Sequence, residues 1–211
     1  MRFIRLQKLL LITLLTLSAT VFADSKINWA GPYLGVSLGG LEGRHDRKNT
    51  IDFQNSYNSN GGFLLGIQSG VNWQKENFLW GLEAKLSHLD LRGNDGGEGG
   101  TKDSTKINWS ASVGPRLGYI IKNDFLIYGT TGAAMAGIET TNYSAMDKAI
   151  DSKLGYFVGV GIDYKINPNW ITGLNYRFSD FGDAFVDAQG VYPFSTRNKL
   201  DEISLGLSYK F

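Results

Sequence analysis

Apolar and polar residues alternate with a period of two along most of the chain, and this pattern restricts the fold more than any other feature. In residues 61–73, for example, Phe63 and Leu65 share one parity and the polar Gln68 has the other. Alternate side chains point to opposite faces of a β-strand, whereas an amphipathic helix repeats about every 3.6 residues. No segment beyond residue 23 has the helical period. The pattern therefore predicts an all-β protein.

Eight alternating segments can be drawn, each between ten and fourteen residues long. A tilted strand needs about 9–11 residues to cross a membrane, so every segment is long enough to do so. The segments are 29–41, 61–73, 78–91, 107–120, 125–138, 153–166, 170–181 and 201–211. Residues 125–138 are small and apolar on both parities, so the sequence does not assign the two faces of that segment.

The connections between the segments alternate between long and short. The long ones are 42–60, 92–106, 139–152 and 182–200, and the short ones are 74–77, 121–124 and 167–169. In an antiparallel up-and-down barrel, successive connections fall on opposite rims, so one rim receives every short turn. Bacterial outer-membrane barrels have this arrangement, with short periplasmic turns and long extracellular loops. We therefore predict an eight-stranded antiparallel up-and-down transmembrane β-barrel.

The N-terminal residues have the features of an export signal. Three basic residues precede an apolar run, 9–23, which ends in the small residue Ala23. This run is shorter than the roughly 20 residues of a membrane-spanning helix, and its flanks are typical of a secretory signal peptide. We predict a signal peptide over residues 1–23, cleaved after Ala23, and a barrel domain over residues 24–211.

Aromatic residues collect at the rim of the short turns. Tryptophan and tyrosine favour the boundary between membrane and water, where they form girdles around membrane proteins. This placement favours a barrel in a membrane over a soluble one. The predicted periplasmic aromatic girdle consists of Trp29, Trp73, Trp80, Tyr119, Tyr164, Trp170 and Tyr209.

If the apolar residues of each strand face lipid, the residues that alternate with them, which are glycine, serine and charged residues, face the lumen. The interior of an eight-stranded barrel is just wide enough for side chains to fill it. Buried charges are tolerated when they are paired, so the inward charges are expected to form a network. The predicted lumen charge network consists of Glu83, Lys85, Arg116, Asp163, Lys165, Arg177 and Lys210, with Glu202 on the same parity. Packing and a narrow passage for water or small solutes both remain open.

Several short motifs resemble one family. They are NWAGPYLG (28–35), GIQSGVNW (66–73), WGLEA (80–84), GPRLGY (114–119), LIYGTTG (126–132), GVGIDY (159–164), NPNW (167–170) and LSYKF (207–211). This set is similar to the small outer-membrane β-barrel family of alphaproteobacteria, which includes immunogenic surface proteins and hemin-binding proteins. The resemblance implies that the terminal Phe211 is part of the signal read by the outer-membrane insertion machinery. It also implies contact with outer-membrane lipid and lipopolysaccharide, and a host-surface ligand as a further candidate partner.

The residues do not favour an enzyme. The chain has no cysteine and two histidines, which excludes thiol nucleophiles and thiolate metal sites. His88 has the lipid-facing parity near the outer end of its segment, and His45 lies in the first long connection. No catalytic or metal-ligating residue is therefore predicted. The formal net charge of +1 gives no electrostatic reason to expect a nucleic-acid partner.

The leading prediction is a non-enzymatic surface protein that reinforces the envelope and contacts the outside through its loops. One alternative is a narrow porin, and another is an enzyme that modifies outer-membrane lipid, which His88 would have to serve. A third is hemin capture, since His, Tyr and Met are the side chains that ligate haem iron. Its candidate ligands in the long connections are His45, Tyr57, Tyr143, Met146 and Tyr192. No cofactor beyond this hemin alternative is predicted.

Overall fold

The structure is a computed structural model that describes residues 28–49, 54–58, 61–94, 104–142, 147–186 and 194–211. The predicted signal peptide and its cleavage site at Ala23 lie outside these ranges and stay predictions. Within the described ranges, no helix combines the length and the apolar character needed to cross a membrane.

Nine β-strands make up nearly all of the described chain. They are β1 (Gly31–Asn49), β2 (Gln54–Asn58), β3 (Gly62–Lys75), β4 (Phe78–Asn94), β5 (Ser104–Ile121), β6 (Phe125–Asn142), β7 (Asp147–Lys165), β8 (Trp170–Val186) and β9 (Phe194–Lys210).

The strands form one antiparallel sheet that closes on itself. Consecutive strands from β3 to β9 pair with each other, and β1 pairs with β3 on one side and with β9 on the other. The short strand β2 pairs with the outer end of β1, beyond the point where β3 begins. The predicted fold class is therefore confirmed: β1 and β3–β9 are the eight strands that form the wall of a closed antiparallel barrel.

Residue parity assigns the two faces of the wall as the sequence predicts. Val36 and Ile67 are more than half exposed on the outside, whereas Ser37 is buried inside. The structure also assigns β6, whose faces the sequence left open. Ile127 is exposed and points outward, and Leu126 is fully buried.

The connections at one rim are short, as predicted. Tight turns join β3 to β4, β5 to β6 and β7 to β8, and the described residues before β1 and after β9 lie at the same rim. Glu76, Lys122 and Asn123 adopt positive φ angles of 54°, 48° and 61° in two of these turns. In the third, the side chain of Asn167 accepts hydrogen bonds from the backbone N–H groups of Asn169 and Trp170.

The connections at the opposite rim are shorter than predicted, because the strands continue into them. β1 extends to Asn49, β6 extends to Asn142, and β7 already begins at Asp147. The other two long connections, 92–106 and 182–200, also contain the ends of strands. The expectation that the four long connections are entirely loop was therefore wrong. Strand pairing uses backbone groups, so it can continue where the apolar alternation of the sequence has ended.

Candidate functional site

The centre of the lumen is an ionic layer around Glu83. The Glu83 carboxylate accepts hydrogen bonds from Arg116 Nη1 at 3.2 Å and from Arg177 Nη2 at 2.9 Å. The Tyr33 hydroxyl donates a third at 2.9 Å. All four side chains are buried, with exposures of 3–5%. One carboxylate on β4 therefore ties together β1, β5 and β8.

The two terminal nitrogens of Arg116 both have partners in the lumen. Its second terminal nitrogen donates to Asp163 of β7. Its guanidinium carbon lies 3.6 Å from the centre of the Tyr128 ring and 5.7 Å from that of Tyr33, within the range of cation–π attraction. Both tyrosines are lumen residues that the sequence analysis did not select, although Tyr33 has the inward parity of β1.

A second ion pair lies beside the first group. Lys85 Nζ is 3.2 Å from Glu202 Oε2, and both side chains are almost fully buried. Arg177 also donates to the Ser112 hydroxyl and stacks 4.4 Å from the centre of the Phe157 ring. The structure thus brings together five of the seven predicted network residues, along with Glu202.

Lys165 and Lys210, the other two predicted members, lie apart from the ionic layer. They are the last residues of β7 and β9, so they lie at the periplasmic mouth instead of the middle of the barrel. Lys165 Nζ donates to the backbone carbonyl of Asn28 at 2.7 Å, and Lys210 Nζ to that of Ala30 at 3.2 Å. The prediction of one continuous charge network is corrected at these two positions.

Two apolar layers enclose the ionic layer, and the sequence analysis missed both. The periplasmic layer is Trp29, Leu79, Ile120, Leu126, Tyr128 and Ile171. The extracellular layer is Leu41, Leu64, Leu89, Ile107, Ala134, Ala136, Phe157, Phe181 and Leu200. The available signal was the presence of large apolar residues on the inward parity near both ends of the segments. Ile107 also depends on a register irregularity in β5, which parity cannot show.

A small polar cavity lies between the ionic layer and the periplasmic apolar layer. It has a volume of about 10 Å³, which is room for about one water molecule and not for a solute. Gln68 donates to the Ser208 hydroxyl at 3.1 Å, and Asn175 donates to the Tyr128 hydroxyl at 2.8 Å, on its walls. The lumen is therefore filled by side chains at this level.

Six of the seven predicted girdle residues lie on the outside of the rim that carries the short turns. Their exposures are Trp73 40%, Trp80 42%, Tyr119 46%, Tyr164 41%, Trp170 41% and Tyr209 37%. Rings on neighbouring strands touch, as Trp170 and Tyr209 do with centroids 5.3 Å apart. The prediction that Trp29 belongs to the girdle is corrected, because its side chain is fully buried inside the periplasmic mouth. It precedes β1, so strand parity does not govern its direction.

The histidines take up separate places. His88 is exposed on the outer face of β4, as predicted. His45 of β1 lies directly opposite Tyr57 of β2 in the strand register. Tyr143, Met146 and Tyr192 fall outside the described residues. In the part of the chain that the structure covers, no three His, Asp or Glu residues are grouped as a metal site would require.

A closed barrel with an apolar outer face, an aromatic rim and a polar lumen defines an integral outer-membrane β-barrel protein. Residues 9–211 match the family model described as outer membrane protein beta-barrel domain. The chain belongs to this family, and its location is the outer membrane.

Curated relatives support the same placement. The chain is 30% identical over 205 residues to the 31 kDa outer-membrane immunogenic protein of Brucella melitensis biotype 1, covering 87% of this chain and 84% of that protein. It is 30% identical over 190 residues to the 22 kDa outer membrane protein of Rhizobium leguminosarum, covering 89% and 82%.

Solved structures share the fold at low sequence identity. The outer membrane protein OprG from Pseudomonas aeruginosa has a TM-score of 0.53 at 14% identity, covering 89% of this chain and all of that one. The outer membrane protease OmpT from Escherichia coli has a TM-score of 0.51 at 12% identity, covering 92% and 99%. At these identities the likeness extends to the barrel and not to an activity.

Proposed function

We propose that this protein is a non-enzymatic surface protein that reinforces the outer membrane and contacts the environment through its extracellular strand ends and connections. The observation that carries the proposal is the filling of the lumen. Glu83 pairs with Arg116 and Arg177 in a buried layer, and apolar layers lie on both sides of it. Side chains packed in this way act as the core of the barrel.

The packing argues against the narrow porin. An aqueous channel needs a continuous path lined by groups that can exchange partners with water. Here the arginines are bonded to carboxylates, and each apolar layer would have to open as well. Opening the lumen would therefore break buried ion pairs and expose apolar side chains to water at the same time.

Among the described residues, no constellation around His88 supports an enzymatic role. Hydrolysis by a nucleophile or by general acid–base chemistry requires two or three groups within hydrogen-bond reach of each other. His88 is exposed on the lipid-facing side of β4, and its register partners there are Leu65 and Trp109. Relatives of this chain are named outer-membrane immunogenic proteins, which fits a surface role for this chain as well.

The two ends of the barrel suggest its partners. Phe211 is 66% exposed and stacks edge-on against Tyr209 at 5.2 Å, so an aromatic pair is accessible at the end of β9. This supports the proposal that the insertion machinery recognises the terminal strand. The extended outer ends of β6 and β7 would present the chain to a host-surface ligand.

A deletion strain tests the proposed role. We expect cells that lack this chain to become more sensitive to detergent with EDTA, and the wild-type chain to restore resistance. The His88→Ala variant should restore resistance equally well, and the mass spectrum of lipid A should be the same in all strains. Unchanged detergent resistance on deletion would contradict the structural role. A lipid A difference that depends on His88 would establish the enzymatic alternative.

Hemin capture is the second candidate, and one observation favours it. His45 and Tyr57, two residue types that ligate haem iron, occupy directly opposite register positions on β1 and β2. If they bind hemin, titration of the refolded protein should shift the Soret band, and His45→Ala with Tyr57→Phe should abolish the shift. His88→Ala is the matched control and should leave it intact. A titration without any shift would remove this candidate.

A further inference from the structure

The segment before β1 enters the periplasmic mouth of the barrel. Trp29 is completely buried there, against Leu79, Ile120 and Ile171. Gly31 makes the turn between this segment and the strand with a φ of 124°, which side-chain-bearing residues rarely adopt. The segment therefore leaves the direction of β1 at Gly31 and carries the Trp29 ring into the lumen.

Contacts from several separate strands and turns hold the segment. The Trp29 indole N–H donates to the carbonyl of Asn123 in the β5–β6 turn at 2.9 Å. The Trp29 backbone N–H donates to Gln74 Oε1 of β3 at 2.7 Å. Lys165 of β7 lies 4.6 Å from the centre of the indole ring while its ammonium binds the carbonyl of Asn28. Lys210 of β9 binds the carbonyl of Ala30.

We propose that the periplasmic mouth is a binding site for an extended peptide bearing an aromatic side chain, and that residues 28–30 occupy it as a stopper. The periplasmic apolar layer surrounds the aromatic ring. The two lysines bind backbone carbonyls, which any peptide in this conformation would present. This explains why Lys165 and Lys210 lie outside the ionic layer: their cations serve the stopper.

The stopper separates the ionic layer from periplasmic water. The polar cavity lies next to the stopper on the side of the ionic layer, since Ile171 of the periplasmic apolar layer pairs in register with Ser208 of the cavity wall. Water that passed Trp29 would reach this cavity and then Asp163, the partner of Arg116. Keeping water out strengthens the ion pairs above, because their attraction falls as the local dielectric rises.

Thiol labelling tests the stopper, since the natural chain contains no cysteine. Ser208→Cys places one thiol in the cavity wall, at a position that is 4% exposed. In the refolded full barrel, a small methanethiosulfonate reagent should label this thiol slowly. Adding Trp29→Gly should raise the rate at least about tenfold, because local closure no longer protects the site. Trp73→Gly is the matched control: it removes an outward tryptophan at the same rim and should leave the rate unchanged.

A peptide added in trans tests the binding site itself. A synthetic peptide of residues 24–32 should restore slow labelling of the Trp29→Gly barrel, and the same peptide with alanine in place of Trp29 should not. If Trp29→Gly does not fold, judged by heat-modifiable migration in gels, the variant Lys165→Met with Lys210→Met replaces it and should also label faster. An unchanged rate in a folded variant, or an equal rise with Trp73→Gly, would overturn the proposal.

This inference rests on the packed lumen of the proposed function, but the two can fail separately. Fast labelling of the Ser208→Cys barrel that retains Trp29, in a barrel that conducts no current, would overturn the stopper alone. Current through the wild-type barrel would instead remove the packed lumen.

Discussion

Glu83 connects three other side chains of the lumen, because two arginines and a tyrosine donate to it. Its replacement by glutamine keeps the size of the side chain and removes the charge. Arg177 would then be left without a described carboxylate partner, and Arg116 would retain only Asp163. The energetic consequence follows from burial: an arginine at the surface could turn to water, whereas these arginines are 3% exposed.

We expect Glu83→Gln to lower the free energy of unfolding by about 3–5 kcal/mol, the usual cost of removing one partner from a buried ion pair. Urea titration of the refolded barrel in lipid vesicles measures it. Glu76→Gln, in the exposed β3–β4 turn, is the matched control and should change stability by no more than about 0.5 kcal/mol. Equal stability of the two variants would show that the ionic layer contributes nothing to the fold.

For a single residue, the sequence predicts well whether the side chain points to lipid or to the lumen, and it predicts poorly which partner the side chain binds. Parity correctly sends Glu83, Arg116 and Arg177 into the lumen. It does not show that Glu83 takes both arginines, because pairing across the lumen depends on barrel register and shear. Trp29 illustrates the limit, since a residue outside the strand has no parity to read.

At the scale of strands, the closure between β1 and β9 depends on close approach of the two backbones. A Cβ on Gly39 would overlap the carbonyl oxygen of Ile203, whereas the nearest atom to a Cβ on Gly40 is 3.9 Å away. We therefore expect Gly39→Ala to destabilise the barrel by about 1–3 kcal/mol, as overpacking does, and Gly40→Ala to be nearly neutral.

The fraction of folded protein at increasing temperature, read from heat-modifiable gel migration, compares the two alanine variants directly. The two positions are adjacent and undergo the same substitution, so any difference comes from the inner and outer faces of β1. If both variants melt together, the inward glycine is not needed for closure.

The outer ends of β6 and β7 make a second prediction for a strand pair. Thr140 pairs with Ala149 and Thr141 with Lys148, in a stretch that the polar composition favours as loop. Their hydrogen-bonded amides should exchange with solvent more slowly than amides of an unpaired chain. Hydrogen exchange read by NMR on the refolded barrel measures this. Exchange at free-peptide rates throughout 139–152 would show that the loop prediction was right.

The segment boundaries show why the strand lengths were missed. Sequence periodicity detects a strand only where one face meets lipid and the other the lumen. The periplasmic ends, where tight turns and aromatic residues mark the boundary, were located closely. The predicted strands stop short of the observed extracellular ends, because pairing beyond the membrane leaves no apolar alternation in the sequence.

At the scale of the whole molecule, the alternation of long and short connections predicts the closed barrel and its orientation. The layered filling of the lumen is a property of the assembled barrel. It depends on which inward residues reach the same height on eight tilted strands, and tilt and shear are not readable from one sequence. We propose that the lumen, filled in this way, is a packed core with no conducting path.

Single-channel recording of refolded residues 24–211 in planar bilayers tests whether the lumen conducts. Folding is checked by heat-modifiable migration, and an open porin in the same bilayers confirms that the recording detects conducting barrels. We expect a silent bilayer for the wild-type chain. Discrete conductance steps, larger in the Arg116→Ala variant than in the wild type, would contradict it and make the lumen a pathway.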